Sequence, residues 1–256
     1  MAALEAKLKY LTTVLDASGR PWMRITGANL RVVNGTGSTQ TVNGLGNLVV
    51  GYNETRSSGN VRTGSHNVVV GKEHNFSSFG GLVVGQQNTI SGNFASVSGG
   101  EGNTASGLAS SVSGGNLNTA SGVGAAVSGG RDNTASGQWA AVSAGAFNTT
   151  SGMFYSSVSG GVENTASGAN ASVSGGARST ASGPQASVSG GELNIASQEG
   201  SSVSAGAFNT ASGEQASVSG GLSNTASGLR ASVSGGFQRV ASGEHDWVAG
   251  SFFADD

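Results

Sequence analysis

The sequence predicts an all-β protein, a single-stranded parallel β-solenoid whose coils are 15 residues long. Two observations carry this prediction. Glycine accounts for 45 of the 256 residues, whereas charged residues make up only 10%. A valine also recurs every 15 residues from Val97 to Val248, with a single interval of 16 between Val142 and Val158. A flexible Gly/Ser linker shares this composition but keeps no register, so the repeat indicates stacked coils.

Each repeat of residues 97–245 supplies two short strands and two tight corners. The unit reads A/S-S-V-S-G-G-x-x-N-T-A-S-G-x-x, with valine as its only large apolar residue. Because side chains alternate along a strand, Val97 and Ala105 are predicted to face inward, and Thr104 and Ser106 outward. The Gly-Gly pair suits a corner with positive φ, and the recurrent asparagine predicts a ladder of stacked side-chain amides. One large core residue per coil buries little apolar surface, which favours oligomerisation.

A short helix is predicted in residues 1–19. Its leucines have the 4-3-4 spacing of an a/d seam, and Gly19 followed by Pro21 would end it. Two heptads are too few for an independent coiled coil, so the helix would either join copies of the chain or cap the open end of the rod. The seam leucines are Leu4, Leu8, Leu11 and Leu15.

The segments on either side of the array are predicted to be variants of the same design. Residues 20–96 form a less regular β-roll, in which Asn34-Gly35 and Asn43-Gly44 are tight-turn signals. Residues 246–256 form a cap that covers the last coil. The cap replaces small residues with Trp247, Phe252 and Phe253.

Composition excludes several classes of function. A net charge of −2 gives no basic surface for nucleic acid, and no apolar run is long enough to insert into a membrane. No secretory signal is predicted. The histidines at 66, 74 and 245 have no accompanying column of acids, so neither catalysis nor a cofactor is expected. Corner or inter-chain hydrogen bonds are the favoured role for the first two, and a metal-binding ring of three histidines on a trimer axis is the alternative.

Two features are candidates for binding. The first is an apolar column two residues past the Gly-Gly pair, which favours a subunit seam over a ligand stripe. The second is the one-residue insertion, where solenoids often place a binding face; local packing of a bulge is the alternative. The predicted seam column consists of Leu117, Phe147, Leu193 and Phe208. The predicted ligand corner consists of Trp139, Met153, Phe154 and Tyr155.

One segment also points to a known family. G-S-H-N-V-V-V-G at residues 64–71, together with the A-S-V-S-G-G and N-T-A-S-G units, resembles the head repeats of trimeric autotransporter adhesins of the YadA type, over roughly residues 45–250. The resemblance implies a left-handed β-roll, a homotrimer and a surface adhesive role. Similar repeats occur in phage and tail-fibre-like proteins. The signal peptide, long stalk and membrane anchor of the adhesins have no counterpart here, so anchoring is not expected.

Three functions are therefore weighed. The leading hypothesis is a non-enzymatic adhesive head or fibre tip, extracellular or on a cell or virion surface, that binds a receptor or glycan. The first alternative is an ice-binding protein that uses the outward Thr-x-Ser array, and the second is a tail-fibre or scaffold subunit without a ligand of its own. An enzyme with catalytic groups at chain boundaries is disfavoured, because no acid pairs recur at constant positions.

Overall fold

The computed structural model describes residues 10–250, and all regular structure in that range is β. A two-stranded hairpin precedes two parallel sheets, one of 14 strands and one of 12. The predicted all-β parallel solenoid is thereby confirmed. Residues 10–250 contain no helix, and hence none that would cross a membrane.

The strands alternate between the two sheets along the chain. β3, β4 and the later even-numbered strands form the valine sheet, and β5 with the later odd-numbered strands forms the threonine sheet. The strands are β1 (Leu11–Leu15), β2 (Pro21–Ile25), β3 (Leu48–Val50), β4 (Val68–Lys72), β5 (Asn75–Phe76), β6 (Leu82–Gln86), β7 (Thr89–Ile90), β8 (Ser96–Val97), β9 (Thr104–Ala105), β10 (Ser111–Val112), β11 (Thr119–Ala120), β12 (Ala126–Val127), β13 (Thr134–Ala135), β14 (Ala141–Val142), β15 (Thr149–Thr150), β16 (Ser157–Val158), β17 (Thr165–Ala166), β18 (Ser172–Val173), β19 (Thr180–Ala181), β20 (Ser187–Val188), β21 (Ile195–Ala196), β22 (Ser202–Val203), β23 (Thr210–Ala211), β24 (Ser217–Val218), β25 (Thr225–Ala226), β26 (Ser232–Val233), β27 (Val240–Ala241) and β28 (Trp247–Val248).

In the regular array each strand pairs in parallel with its own copy in the next coil. Val97 lies opposite Val112, and Thr104 lies opposite Thr119. Val97 and Ala105 are fully buried, as the alternation predicts. The core is therefore a thin column of valine and alanine between two flat sheets whose outer faces carry small side chains.

The predicted asparagine ladder is present, although its amides bond mainly to the backbone. The amide Oδ1 of Asn103 accepts the N–H of Asn118 at 2.9 Å. Its Nδ2 donates to the carbonyl oxygens of Gly99 (3.2 Å) and Gly115 (2.9 Å), so each amide joins the corners of two coils. Gly100 has a φ of 80°, and a Cβ there would lie 2.1 Å from the Gly115 oxygen. The ladder positions are Asn53, His74, Asn88, Asn103, Asn118, Asn133, Asn148, Asn164, Ser179, Asn194, Asn209 and Asn224.

The predicted N-terminal helix is wrong over the part that is described. β1 pairs antiparallel with β2, with Leu11 opposite Ile25 and Leu15 opposite Pro21. The β-branched run Thr12–Val14 favours a strand, and the residues read as a helix stop form the hairpin turn instead. The Asp16 carboxylate accepts the backbone N–H groups of Arg20 and Ser18, and the first of these bonds is the main cause that lowers the pKa of Asp16. Leu4 and Leu8 lie outside the described residues.

The irregular coils before the array are held by longer-range hydrogen bonds. Gly35 and Gly44 have positive φ, as the turn signals predict. His66 accepts the N–H of Asn34 through Nε2 at 3.1 Å, and its Nδ1 lies 3.1 Å from the Thr39 oxygen. His66 therefore holds a corner in place through hydrogen bonds, which is one of the roles that the sequence analysis favoured for it.

At the other end of the rod, the predicted cap is described only in part. Trp247 lies opposite Ser232 on the outer face of the valine sheet, and its Nε1 donates to the Ser234 hydroxyl at 2.8 Å. Phe252 and Phe253 lie outside the described residues.

Candidate binding site at an aromatic corner

Each coil has two corners at opposite edges of its flattened cross-section. Corner A leads from the valine sheet to the threonine sheet, as at residues 99–102, and corner B leads back to the valine sheet, as at residues 107–109. In the regular array corner A has at least two residues with a positive φ, of which the first is always glycine, and corner B has one. The second positive-φ residue of corner A and the one of corner B are not glycine in most coils. These residues stack into one column at each corner because every coil repeats the same backbone path.

The one-residue insertion lies at corner B, and the hydrogen bonds identify Met153 as the added residue. Tyr155 N–H donates to the Gln138 oxygen at 3.1 Å, and Asn170 N–H donates to the Phe154 oxygen at 2.7 Å. Phe154 and Tyr155 thus occupy the positions of an ordinary corner, and Met153 bulges outward. The two sheets keep their register on either side of the bulge.

The structure brings the four predicted ligand-corner residues together. Trp139 and Tyr155 occupy the same corner position in adjacent coils, with φ values of 58° and 50°. Trp139 is 48% exposed and Tyr155 62%. Met153 and Phe154 are also exposed, so the corner presents four large side chains to solvent.

The Trp139 indole lies flat against the coil that precedes it. A Cβ built on Gly124 would lie 2.2 Å from Cε3 and 2.3 Å from Cζ3 of the indole. The ring therefore covers the α-carbon of Gly124, which only glycine permits at this distance. One side of the indole rests on backbone, and about half of the Trp139 surface remains exposed.

Phe94, three coils earlier in the same column, has the same arrangement. A Cβ on Gly80 would lie 2.8 Å from its Cδ1 atom, and Phe94 is 48% exposed. Its ring also meets buried Phe79 edge-on, with centroids 5.2 Å apart. Leu108 and Val123 fill the coils between Phe94 and Trp139 and are themselves exposed. Sequence reasoning missed this extension, although the glycine one coil before Phe94 and the one before Trp139 were a usable signal.

Charge divides corner B into two halves. Between residues 92 and 186 the corner carries apolar, aromatic and amide side chains and no charged one. From Glu199 onward it carries an acidic or basic side chain in every coil: Glu199, Glu214, Arg230, and Glu244, His245 and Asp246 in the last. Trp139, Met153, Phe154 and Tyr155, which we call the aromatic corner, therefore belong to the uncharged half.

Beneath the bulge, the Ser156 hydroxyl is buried without a hydrogen-bond partner among the described residues. At the equivalent position of another coil, the Ser110 hydroxyl donates to the Gly107 oxygen at 2.8 Å. Met153 adds one residue between Gly152 and Ser156, which removes the equivalent bond. The insertion is thus accommodated at a local energetic cost.

The predicted seam column lies at corner A, on the opposite edge. Leu117, Phe147 and Phe208 are exposed, and Leu193 is half-buried. All four stand along one line of the rod because they occupy the same positive-φ position of corner A. The Arg131 guanidinium lies 5.2 Å from the centre of the Phe147 ring, and Arg178 pairs with Glu192. Corner A is therefore both apolar and charged, in contrast to the aromatic corner.

No family model and no curated protein matches this chain. Within residues 10–250, no three His, Asp or Glu side chains are grouped as metal ligands would be.

Proposed function

We propose that this chain is a non-enzymatic, homotrimeric β-solenoid of a cell or virion surface, which acts as an adhesive head or fibre tip. It binds a surface receptor or glycan through the aromatic corner. The observation that carries the proposal is the group of exposed Trp139, Met153, Phe154 and Tyr155, which lies among coils whose outer sheet faces bear serine, threonine and alanine. Exposed aromatic residues held on a rigid backbone form contacts at low entropic cost.

The proposed trimer is supported by an aliphatic patch on the outer face of the valine sheet. The outward residues of β3, β4 and β6 stand in register and none is fully buried. Serine and alanine continue the face beyond them. At about 4.8 Å per coil the face is about 60 Å long and about 10 Å wide, comparable with the roughly 800 Å² per partner of a stable interface. The patch consists of Leu48, Val50, Val68, Val70, Leu82 and Val84.

Light scattering tests both candidate seams. We expect the purified chain to have the mass of three copies, and Val68→Lys with Leu82→Lys to give the mass of one, because lysines would be desolvated in the seam. Phe147→Ser with Phe208→Ser probes the corner A column in the same way. A wild-type chain that is monomeric at micromolar concentration would refute the trimer.

Adhesion of labelled protein to bacterial, fungal and animal cells tests the function. We expect saturable binding to some of these surfaces, and loss of binding in the double variant Trp139→Ala/Tyr155→Ala. Phe237→Ala is the matched control, because Phe237 is an exposed aromatic residue at corner A. Equal adhesion of the double variant and the control would refute the assignment of the aromatic corner.

Ice binding is a second candidate, favoured by the outer face of the threonine sheet. Serine occupies every coil in one column from Ser91 to Ser242, and β-branched residues occupy every coil in the other from Thr89 to Val240. The columns are in register and carry no charge. A chain that shows no thermal hysteresis would exclude this function, whereas hysteresis abolished by Thr149→Tyr would support it.

A further inference from the structure

We propose that the aromatic corner binds an uncharged, extended β-1,4-linked glycan that runs parallel to the rod, with Trp139 and Tyr155 as stacking platforms. This inference rests on the proposed adhesive function, because it names the class of ligand for the same site. It specifies the ligand's charge, its linkage and its direction along the rod.

The first support is the way the aromatic rings are mounted. The Trp139 indole rests on Gly124, and the Phe94 ring rests on Gly80 and against Phe79. Trp139 and Phe94 are each 48% exposed. A ring that rests on backbone and belongs to a half-exposed residue can serve as a platform for the apolar C–H face of a pyranose, whose stacking gains from the negative face of the π-system.

The second support is the spacing of the coils. Adjacent coils are about 4.8 Å apart, which is close to the repeat of one pyranose in an extended β-1,4-linked chain. Trp139 and Tyr155 would therefore meet neighbouring sugars. Phe94 lies three coils before Trp139, about 14 Å along the rod, so about five sugars would span the corner from Phe94 to Tyr155.

The third support is the chemistry that surrounds the platforms. Gln138 is exposed beside Trp139, and Asn170 and Gln185 follow Tyr155 in the next two coils of the same column. Their amides both donate and accept hydrogen bonds, as recognition of sugar hydroxyls requires. No lysine or arginine lies on this half of the corner, and these are the side chains that acidic polysaccharides need. The ligand that complements this surface is neutral.

Titration calorimetry of the full chain with cellohexaose tests the inference, with heparin as the charged probe. We expect heat from cellohexaose and none from heparin. Trp139→Ala should weaken binding by about tenfold or more, and Tyr155→Ala by a smaller factor, because the larger ring covers more of the sugar. Trp139→Phe should recover part of the loss, and Phe237→Ala should leave the affinity unchanged.

Two outcomes would overturn the glycan assignment. One is the absence of heat with cellohexaose, mannohexaose and xylohexaose; the other is binding of heparin that Trp139→Ala weakens. If cells are still bound through a protease-sensitive receptor in either case, the adhesive function stands and only the ligand class fails. Conversely, a chain that binds cellohexaose but adheres to no cell surface keeps the ligand class and refutes the adhesive function.

Discussion

The irregular coils of residues 44–96 and the regular coils of residues 97–245 both stack in parallel, but they do so with different side chains. Successive strands of the valine sheet pair at offsets of 20 and then 14 residues before the array, and of 15 within it except for one offset of 16 at the insertion. The irregular coils bury Phe76, Phe79 and Ile90, whereas the regular coils bury alanines opposite their valines. The ladder passes through both regions without a gap, from Asn53 to the N–H of Arg239.

This comparison shows that the corner, rather than the core, sets the geometry of a coil. Core volume and coil length both change between the regions, yet each ladder side chain still accepts the N–H of the next. The parallel sheets follow from that alignment. Side chains outside the ladder are then free to differ, which lets the early coils carry an aliphatic patch and the later ones a uniform surface.

Removing one ladder amide should give the largest effect. Asn118→Ala would leave the buried N–H of Asn133 and the Gly114 oxygen without this amide as their partner, whereas the Gly130 oxygen would still accept the N–H of Asn116. An unsatisfied buried group costs about 1–3 kcal/mol, so we expect the free energy of unfolding to fall by about 2 kcal/mol or more. Chemical denaturation at one fixed protein concentration measures the change.

Asn116→Ala is the control for that experiment. Asn116 is only half-buried, and its side chain makes a single 3.4 Å bond to the Glu101 oxygen, so its loss should change stability by less than about 0.5 kcal/mol. Similar losses in the two variants would contradict the role of the ladder.

Most of the regular region could be predicted from sequence, because a fixed period specifies the pairing of every strand. Val97 and Ala105 face inward as predicted, and Asn103 belongs to the predicted ladder. The hairpin could not be predicted from leucine spacing. Leu11 and Leu15 share a face in a strand as well as in a helix, since they are an even number of residues apart.

The candidate site was accessible to sequence reasoning only in part. The insertion marked Met153, Phe154 and Tyr155 because it breaks a period. Phe94 lies outside residues 97–245, to which the regular array was assigned, although S-G-N-F-A-S-V at residues 91–97 fits the same repeat. Extending the repeat by one corner would have placed Phe94 in the column.

The irregular coils should be more sensitive to acid than the regular ones, because His74 occupies a ladder position. His74 is fully buried; its Nδ1 accepts the N–H of Asn88 at 3.3 Å, so Nε2 carries the proton that bonds to the Val70 oxygen at 3.0 Å. Burial lowers the pKa of His74, with the nearby Arg56 charge acting in the same direction. Protonation would add a hydrogen to Nδ1 that opposes the Asn88 N–H and breaks the ladder.

The sign of the pH effect follows from the lowered pKa. Stability from neutral His74 is fully present above the unfolded-state pKa of about 6.5, and is lost as the pH falls below that value toward the folded-state pKa. We expect the free energy of unfolding to decline from pH 6.5 to pH 5, and His74→Asn to reduce this slope. His245→Asn, at an exposed position, is the control. Equal slopes in wild type and His74→Asn would contradict the assignment.

The smallest predicted effect lies at the insertion, the one change of coil length within the regular coils. Ser156→Ala removes a buried hydroxyl that has no partner among the described residues, and alanine already occupies the equivalent position at Ala125 and Ala140. We expect it to raise the free energy of unfolding by about 1 kcal/mol.

Ser110→Ala is the matched comparison, because it removes a hydroxyl that does donate to a carbonyl. It should lower the free energy of unfolding by about 1 kcal/mol, so the same substitution has opposite signs in two coils. Denaturant midpoints of the two variants measure the difference. A loss of stability in Ser156→Ala would instead mean that a buried water satisfies the Ser156 hydroxyl. The bulge would then lower the free energy of unfolding by less than the unpaired hydroxyl implies.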